Sequence, residues 1–291
     1  MFDAMIDVLA NDRLALLLCV GLLGLIVGSF LNVLVYRLPV MMQREWQAQC
    51  RELLELEAVT QDRFNLTTPA SHCPHCGHHI RFWENIPIIS YLYQRGRCTA
   101  CHKAISIRYP LVELASALLS IAVAWQFGFT WLMLAALFLT WGLLAMSLID
   151  VDHQLLPDDL TLPLLWLGLL LNLWPETRLV SLEAAVLGTV FGYLSLWTVY
   201  WLFKLITGKE GMGHGDFKLL ALFGAWLGWQ SIPLIILMSS LVGAVFGMAQ
   251  ILLQERDRNQ PIPFGPYLAC AGWLSLMGGQ VYLQNTINWL I

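Results

Sequence analysis

Apolar residues in this chain come in long unbroken runs, not at the spacing of a surface helix or in the alternation of a half-buried strand. A helix needs about 20 such residues to cross the hydrocarbon core of a bilayer. Eight runs reach or approach that length: Leu14–Tyr36, Leu111–Phe127, Trp131–Ile149, Leu160–Trp174, Leu182–Ile206, Phe217–Trp229, Ile232–Leu253 and Phe264–Tyr282. The fourth and sixth are short, which leaves their ends free to move by several residues. The pattern predicts an all-α polytopic membrane protein with about eight transmembrane helices, because a helix satisfies its own backbone polar groups where no water is present. Residues 40–108 break the pattern and hold most of the charge. Within them Gln43–Val59 combines helical spacing with charges of both signs, predicting a helix outside the membrane that leads into a small metal module. The expected division is a first transmembrane helix in 1–39, a cytosolic domain in 40–108 and a seven-helix membrane core in 109–291.

Composition excludes the one or two soluble domains that 291 residues would otherwise suggest. Hydrophobic residues make up 58% and charged residues 12%, and the mean hydropathy is +0.64. Such a chain cannot cover its apolar surface in water, so its partner is a lipid bilayer. The net charge of −4 and the lack of a basic stripe with interleaved aromatics argue against nucleic acid. The first run follows Met1–Arg13, which carries three Asp and one Arg, and is too long and wrongly flanked for a secretory signal. It reads as a helix that stays in the protein.

Charge placement orients the spans. With an external N-terminus, the internal segments are 37–110, 150–159, 207–216 and 254–263. These segments and their membrane ends hold 14 of the 16 Lys and Arg, leaving only Arg13 and Arg178 outside. The positive-inside rule selects this orientation over its reverse.

Two Cys-x-x-Cys pairs, Cys73–Cys76 and Cys98–Cys101, lie in the charged region. Each pair can form a tight knuckle presenting two thiolates, and two knuckles complete a tetrahedral zinc site. The competing reading, two disulfides, is disfavoured by the internal placement of this loop, where thiols stay reduced. Four thiolates leave no open coordination position, so the expected Zn2+, one per chain, is structural. His72, His75, His78, His79 and His102 crowd the same module and read as surface or supporting groups. Cys19, Cys50 and Cys270 have no partner spacing.

Two acidic motifs stand at the internal membrane edge. One is Asp150-Val-Asp152-His-Gln-Leu-Leu-Pro157-Asp158, after the third run; the other is Gly213-His-Gly215-Asp216-Phe-Lys218, before the sixth. An ionisable residue there is costly and marks a functional site. Two adjacent carboxylates can share one proton, so that one activates a water while the other protonates a scissile carbonyl. The same residues could instead line an ion or proton path, and spacing by itself leaves both readings open. Asp159 reads as a helix cap or solvated acid. A nucleotide loop is excluded at the glycine-rich run, which lacks a preceding strand and a βαβ unit.

At these motifs the chain resembles the bacterial type IV prepilin peptidases, membrane aspartic proteases of the GxGD class. The likeness covers almost the whole length. It includes Gly28-Ser-Phe-Leu-Asn-Val-Leu-Val-Tyr-Arg37-Leu-Pro39, both Cys-x-x-Cys pairs, Tyr109-Pro-Leu-Val-Glu113, the two aspartate motifs and Pro261-Ile-Pro-Phe-Gly-Pro266. The resemblance implies that Asp150, seven residues before Pro157, and Asp216 are the catalytic pair, with Asp152 a neighbour. It implies cleavage of the short basic leader of type IV prepilins and type II secretion pseudopilins at the cytosolic face of the bacterial inner membrane. It further implies N-methylation of the new terminus with S-adenosylmethionine as donor, for which no residues are apparent. Oligomeric state is not indicated. A transporter using the same aspartates would need ionisable groups deep in several spans, and these carry almost none. A pilus-assembly scaffold would tolerate loss of both aspartates.

Overall fold

The computed structural model describes residues 2–57, 62–209, 211–254 and 263–290. The chain forms two compact units, Met1–Phe129 and Thr130–Ile291. Among the described residues there is no strand, only two isolated bridges, His72 with His79 and Arg97 with Ala104.

The first unit begins with α1 (Phe2–Asn11) and α2 (Arg13–Leu53). Asp12 starts α2 by accepting the amides of Leu14 and Ala15 at 2.9 and 3.1 Å, satisfying two of the donors that a helix start leaves open. At 41 residues α2 is about 60 Å long, roughly twice the hydrocarbon thickness. The first apolar run and residues 43–53 of the expected outer helix are therefore one element, passing through Pro39 without a break; residues 54–57 leave the helix in a turn, and 58–59 fall outside the described set. Beyond the apolar run the helix is gripped by the following loop. Arg37 donates to the carbonyls of Asn65 and Pro69 at 2.8 and 2.6 Å. Arg44, seven residues on and so on the same face, lies 4.5 Å from the Phe64 ring centroid.

Helix α3 (Ile89–Tyr93) follows a 3₁₀ turn at Phe82–Asn85, and α4 (Arg108–Phe127) closes the unit against α2. Small residues make that seam. A Cβ at Gly24 would come 2.8 Å from the Ala117 Cα, and one at Gly28 2.7 Å from the Glu113 Cα. In lipid, where no hydrophobic force drives helices together, close backbone contact of this kind supplies the attraction.

The second unit holds α5 (Trp131–His153), α6 (Asp158–Leu171), α7 (Leu182–Thr207), α8 (His214–Leu227), α9 (Ile232–Gln254) and α10 (Gly265–Leu290). Its centre is α8, buried from Phe217 to Leu227 except at Lys218 and packed mainly by α6, α7 and α10. A Cβ at Gly224 would collide with the Gly188 carbonyl of α7, so those backbones touch. Trp226 donates to the Leu164 carbonyl at 2.9 Å. Asn172, buried at the end of α6, donates to the carbonyls of Gly168 and Ala225 and accepts the amides of Leu179 and Val180. One amide thus ties together α6, α8 and the turn into α7 with no polar atom left open.

Among the described residues, five helices are long and apolar enough to cross a membrane: α2, α4, α5, α7 and the Trp229–Ala249 stretch that forms most of α9. The fourth and sixth apolar runs fold as α6 and α8, each of 14 residues. At about 21 Å they fall short of the hydrocarbon thickness.

Candidate active site and metal centre

Asp150 lies in the last turn of α5. Gln154, in the left-handed conformation at φ 54°, ends that helix and donates its amide to the Asp150 carbonyl at 2.9 Å. The Asp150 residue is only 6% exposed, whereas Asp152, two residues on, is exposed. Its Oδ2 accepts the amide of Gly265, the first residue of α10, at 3.0 Å. A Cβ at position 265 would lie 2.7 Å from that same oxygen, so a side chain there would push the carboxylate aside.

Asp216 enters at the opposite end of a helix. It occupies the first turn of α8, is also 6% exposed, and donates its amide to the Gly213 carbonyl at 3.3 Å. A carboxylate in a first turn faces the positive end of the helix dipole. The two aspartates are near enough for direct electrostatic interaction. Leu156 packs between their supports: Cβ atoms at Gly215 and Gly265 would meet its side chain at 2.7 and 3.2 Å.

Lys218 and Asp158 brace the site from outside. The Lys218 ammonium reaches both Asp158 oxygens at 2.6 and 2.7 Å, joining the N-terminal ends of α6 and α8. On the α7 side the buried Tyr200 ring lies 5.0 Å from His214 and 5.7 Å from Phe217, centroid to centroid. The aromatic packing holds the residues on either side of Asp216. Asp159 is exposed. Of the last motif, residues 261–262 lie outside the described set, and Gly265 is the member that reaches a carboxylate. Two buried carboxylates so placed can hold one proton between them and exchange it with a water and a carbonyl.

The four cysteines form a separate cluster in the first unit. Their Sγ atoms lie within 4.8 Å of one another, with Cys73 to Cys101 at 3.8 Å and Cys76 to Cys98 at 4.0 Å. A tetrahedron with metal–sulfur bonds of about 2.3 Å has edges of about 3.8 Å, whereas a disulfide needs about 2.05 Å. The two knuckles repeat one backbone design. The Cys73 amide donates to His78 and the Cys98 amide to Lys103, while Gly77 and His102 donate back to Cys73 and Cys98. The residue after each second cysteine takes positive φ, 71° at Gly77 and 57° at His102.

The thiols compete for ionisation. Amides of His75 and Cys76 draw Cys73 down to about 6. At Cys76 the amide of His78 is outweighed by burial and by the neighbouring thiols, and its pKa is pushed up to about 11. A divalent cation removes that conflict by letting all four ionise together, so the donor set fits a metal ion. Glu84 links the knuckles: it accepts from Thr99 at 2.7 Å and from the Arg81 amide at 2.8 Å, and pairs with His78 at 3.2 Å. These contacts, the Arg81 amide foremost, hold its carboxyl at about 2. Glu84 carries no sequence signal beyond its place three residues after Arg81.

Comparison with known proteins finds relatives for both parts of the chain. Residues 22–127 match the bacterial peptidase A24 N-terminal domain, and residues 137–248 match the type IV leader peptidase family. A prepilin leader peptidase/N-methyltransferase of Stutzerimonas stutzeri is 62% identical over 286 residues, spanning 98% of this chain and 97% of the relative. A protein of the same name from Pseudomonas aeruginosa is 61% identical over 285 residues, spanning 96% and 98%. One from Aeromonas hydrophila is 57% identical over 272 residues, spanning 91% and 93%. No solved structure matches the chain. With identity at this level along nearly the whole of both chains, the protein belongs to the type IV leader peptidase family.

Proposed function

We propose that this enzyme removes the leader from type IV prepilins and type II secretion pseudopilins and then N-methylates the new terminus. The burial of Asp150 and Asp216 at facing helix ends, one held by the Gly265 amide, is the observation that carries the peptidase reading. The names of the relatives carry the second activity. In hydrolysis the pair shares one proton. The ionised member takes a proton from water, which attacks the scissile carbonyl, while the protonated member donates to the carbonyl oxygen. No covalent intermediate forms.

The protein sits in the bacterial inner membrane with eight spans and an external N-terminus, so that both aspartates face the cytosol. Residues 1–39 form the first span, 40–108 the cytosolic domain and 109–291 the peptidase core. The Arg and Lys distribution supports this arrangement. Helices α6 and α8 cross as short elements sheltered by protein. Cys73, Cys76, Cys98 and Cys101 bind one structural Zn2+, and S-adenosylmethionine supplies the methyl group.

The test follows leader loss from a prepilin incubated with purified wild type, Asp150→Asn and Asp216→Asn. Each substitution should lower cleavage by at least about 10³-fold, as expected when one member of a catalytic unit is lost. Substantial cleavage by either variant would overturn the pair.

A further inference from the structure

Between the two cysteine knuckles the chain carries its polarity inside out. On α3 the residues turned outward are Ile89, Leu92 and Tyr93, at i, i+3 and i+4, and they are 65%, 68% and 89% exposed. Ser90, Tyr91 and the capping Gln94 are half-buried instead. Gln94 donates from its side chain to the Glu84 carbonyl at 3.2 Å, and Ser90 to the Ile86 carbonyl at 2.7 Å. A helix in water hides its apolar stripe and shows its polar one. The reverse arrangement implies that the medium outside α3 is less polar than the protein behind it.

Two contacts set the depth of this segment. The Ile88 amide donates to the Glu113 carboxylate of α4 at 2.8 Å. Glu113 is the sixth residue of a 20-residue helix, about 8 Å along a rod whose length of about 30 Å matches the hydrocarbon thickness. Its Cα packs against Gly28 of α2. Gly28 lies nine residues, about 13 Å, inside Arg37, where the apolar run of α2 ends. Both helices thus place the contact below the polar edge of the membrane. Non-helical backbone survives there only where its polar groups find partners. Pro87 has no amide, Ile88 gives its amide to the carboxylate, and Ile89, Ser90, Leu92 and Gln94 donate to carbonyls of the same segment. The buried Glu113 therefore accepts an amide in a place that water does not reach. Exposed Arg81 and Arg95 flank the segment, and the Arg81 guanidinium stands 5.3 Å from the Trp83 ring centroid. Arginine beside an exposed tryptophan suits the boundary between lipid and water.

We propose that residues 86–93 dip into the cytosolic leaflet as a re-entrant turn that docks on lipid. Ile89, Leu92 and Tyr93 sit among the acyl chains, while Trp83, Arg81 and Arg95 lie at the level of the lipid phosphates. The inference rests on the reading that α2 and α4 span the membrane with residues 40–108 inside. Its partner is the bilayer and not a second protein, because the exposed side of α4 at Leu111 and Leu114 already faces lipid at the same depth. The four-cysteine module then has a third attachment besides α2 and α4, which holds it close against the membrane face.

The experiment uses the full-length enzyme in nanodiscs of phosphatidylethanolamine and phosphatidylglycerol. A photoreactive benzophenone side chain replaces Leu92, Tyr93, Leu118 or Glu52, one at a time, and lipid adducts are quantified by mass spectrometry after irradiation. Leu118, exposed midway along α4, reports the acyl region, and Glu52, about 22 Å beyond Arg37 on α2, reports the cytosol. Leu92 and Tyr93 should give adducts at no less than about half the Leu118 yield, and Glu52 at no more than about a tenth of it. Should the Leu92 variant fail to accumulate, Tyr93, whose side chain projects almost wholly from the fold, decides alone. Yields at these positions no higher than at Glu52 would overturn the proposal. So would cross-links there to a prepilin or to a second copy of the enzyme in place of lipid. Absence of lipid adducts at Leu118 would instead sink the spanning reading beneath it.

Discussion

Replacing Gly265 with alanine should cripple cleavage without unfolding the protein. The new Cβ would stand 2.7 Å from the Asp150 Oδ2 and 3.2 Å from both its Cγ and the Leu156 Cδ2. Ordinary contact begins near 3.4 Å, so the carboxylate must retreat by about 0.7 Å or α10 must shift by as much. Misplacing a reacting group by about 1 Å costs on the order of 10²-fold in rate. The expected fall in kcat is therefore about 10- to 100-fold, or roughly 1.4–2.7 kcal/mol of lost transition-state stabilisation. Overpacking of one methyl costs about 1–3 kcal/mol of stability, too little to empty the folded state. The assay is steady-state leader removal from a prepilin, with the thermal midpoint of the same preparation measured alongside. A variant that cleaves within twofold of wild type would refute the view that the Gly265 amide sets the Asp150 carboxylate.

Two further outcomes concern the cysteine module. Glu84, held at about 2 against its ordinary 4.5, contributes stability that is present above pH 4.5 and lost as the pH falls toward 2. The difference in denaturation midpoint between wild type and Glu84→Gln should therefore shrink across that window, and a constant difference would refute the linkage. Removing the metal with a strong chelator, or changing Cys73 to Ser, should expose the remaining thiols to alkylation and loosen residues 72–104 to hydrogen exchange. Thiol reactivity identical with and without chelator would exclude a metal at this cluster.

Much of this architecture was legible because lipid imposes simple rules. Residue Trp131 opens both the third apolar run and α5, and Leu182 opens both the fifth run and α7. The short elements were harder to place because α6 and α8 begin on polar residues, Asp158 and His214, which an apolar run excludes. The continuity of α2 was hidden by Pro39 and by the change from apolar to charged composition. Neither breaks the helix, which is clamped on either side of Pro39 by Arg37 and Arg44. Spacing displayed the four-cysteine cluster directly, since its ligands come from two local turns. The Asp150 contact with Gly265 spans 115 residues, and no local pattern reports such a distance. Glu113 of α4 stood inside a visible motif, yet the Ile88 amide that donates to it at 2.8 Å lies 25 residues away, outside any local pattern.

The near-complete burial of α8 bears on how the enzyme comes into being. A 14-residue segment with a carboxylate at its head has little reason to enter a bilayer alone. Its apolar side chains find their surroundings only once α6, α7 and α10 are in place, and α10 lies at the far end of the chain. Membrane insertion and maturation are therefore coupled: Asp216 takes its position, and Asp150 gains its Gly265 donor, only after the last helix has arrived. A chain truncated before α10 should therefore lack proteolytic activity, which makes assembly itself the step that arms the site.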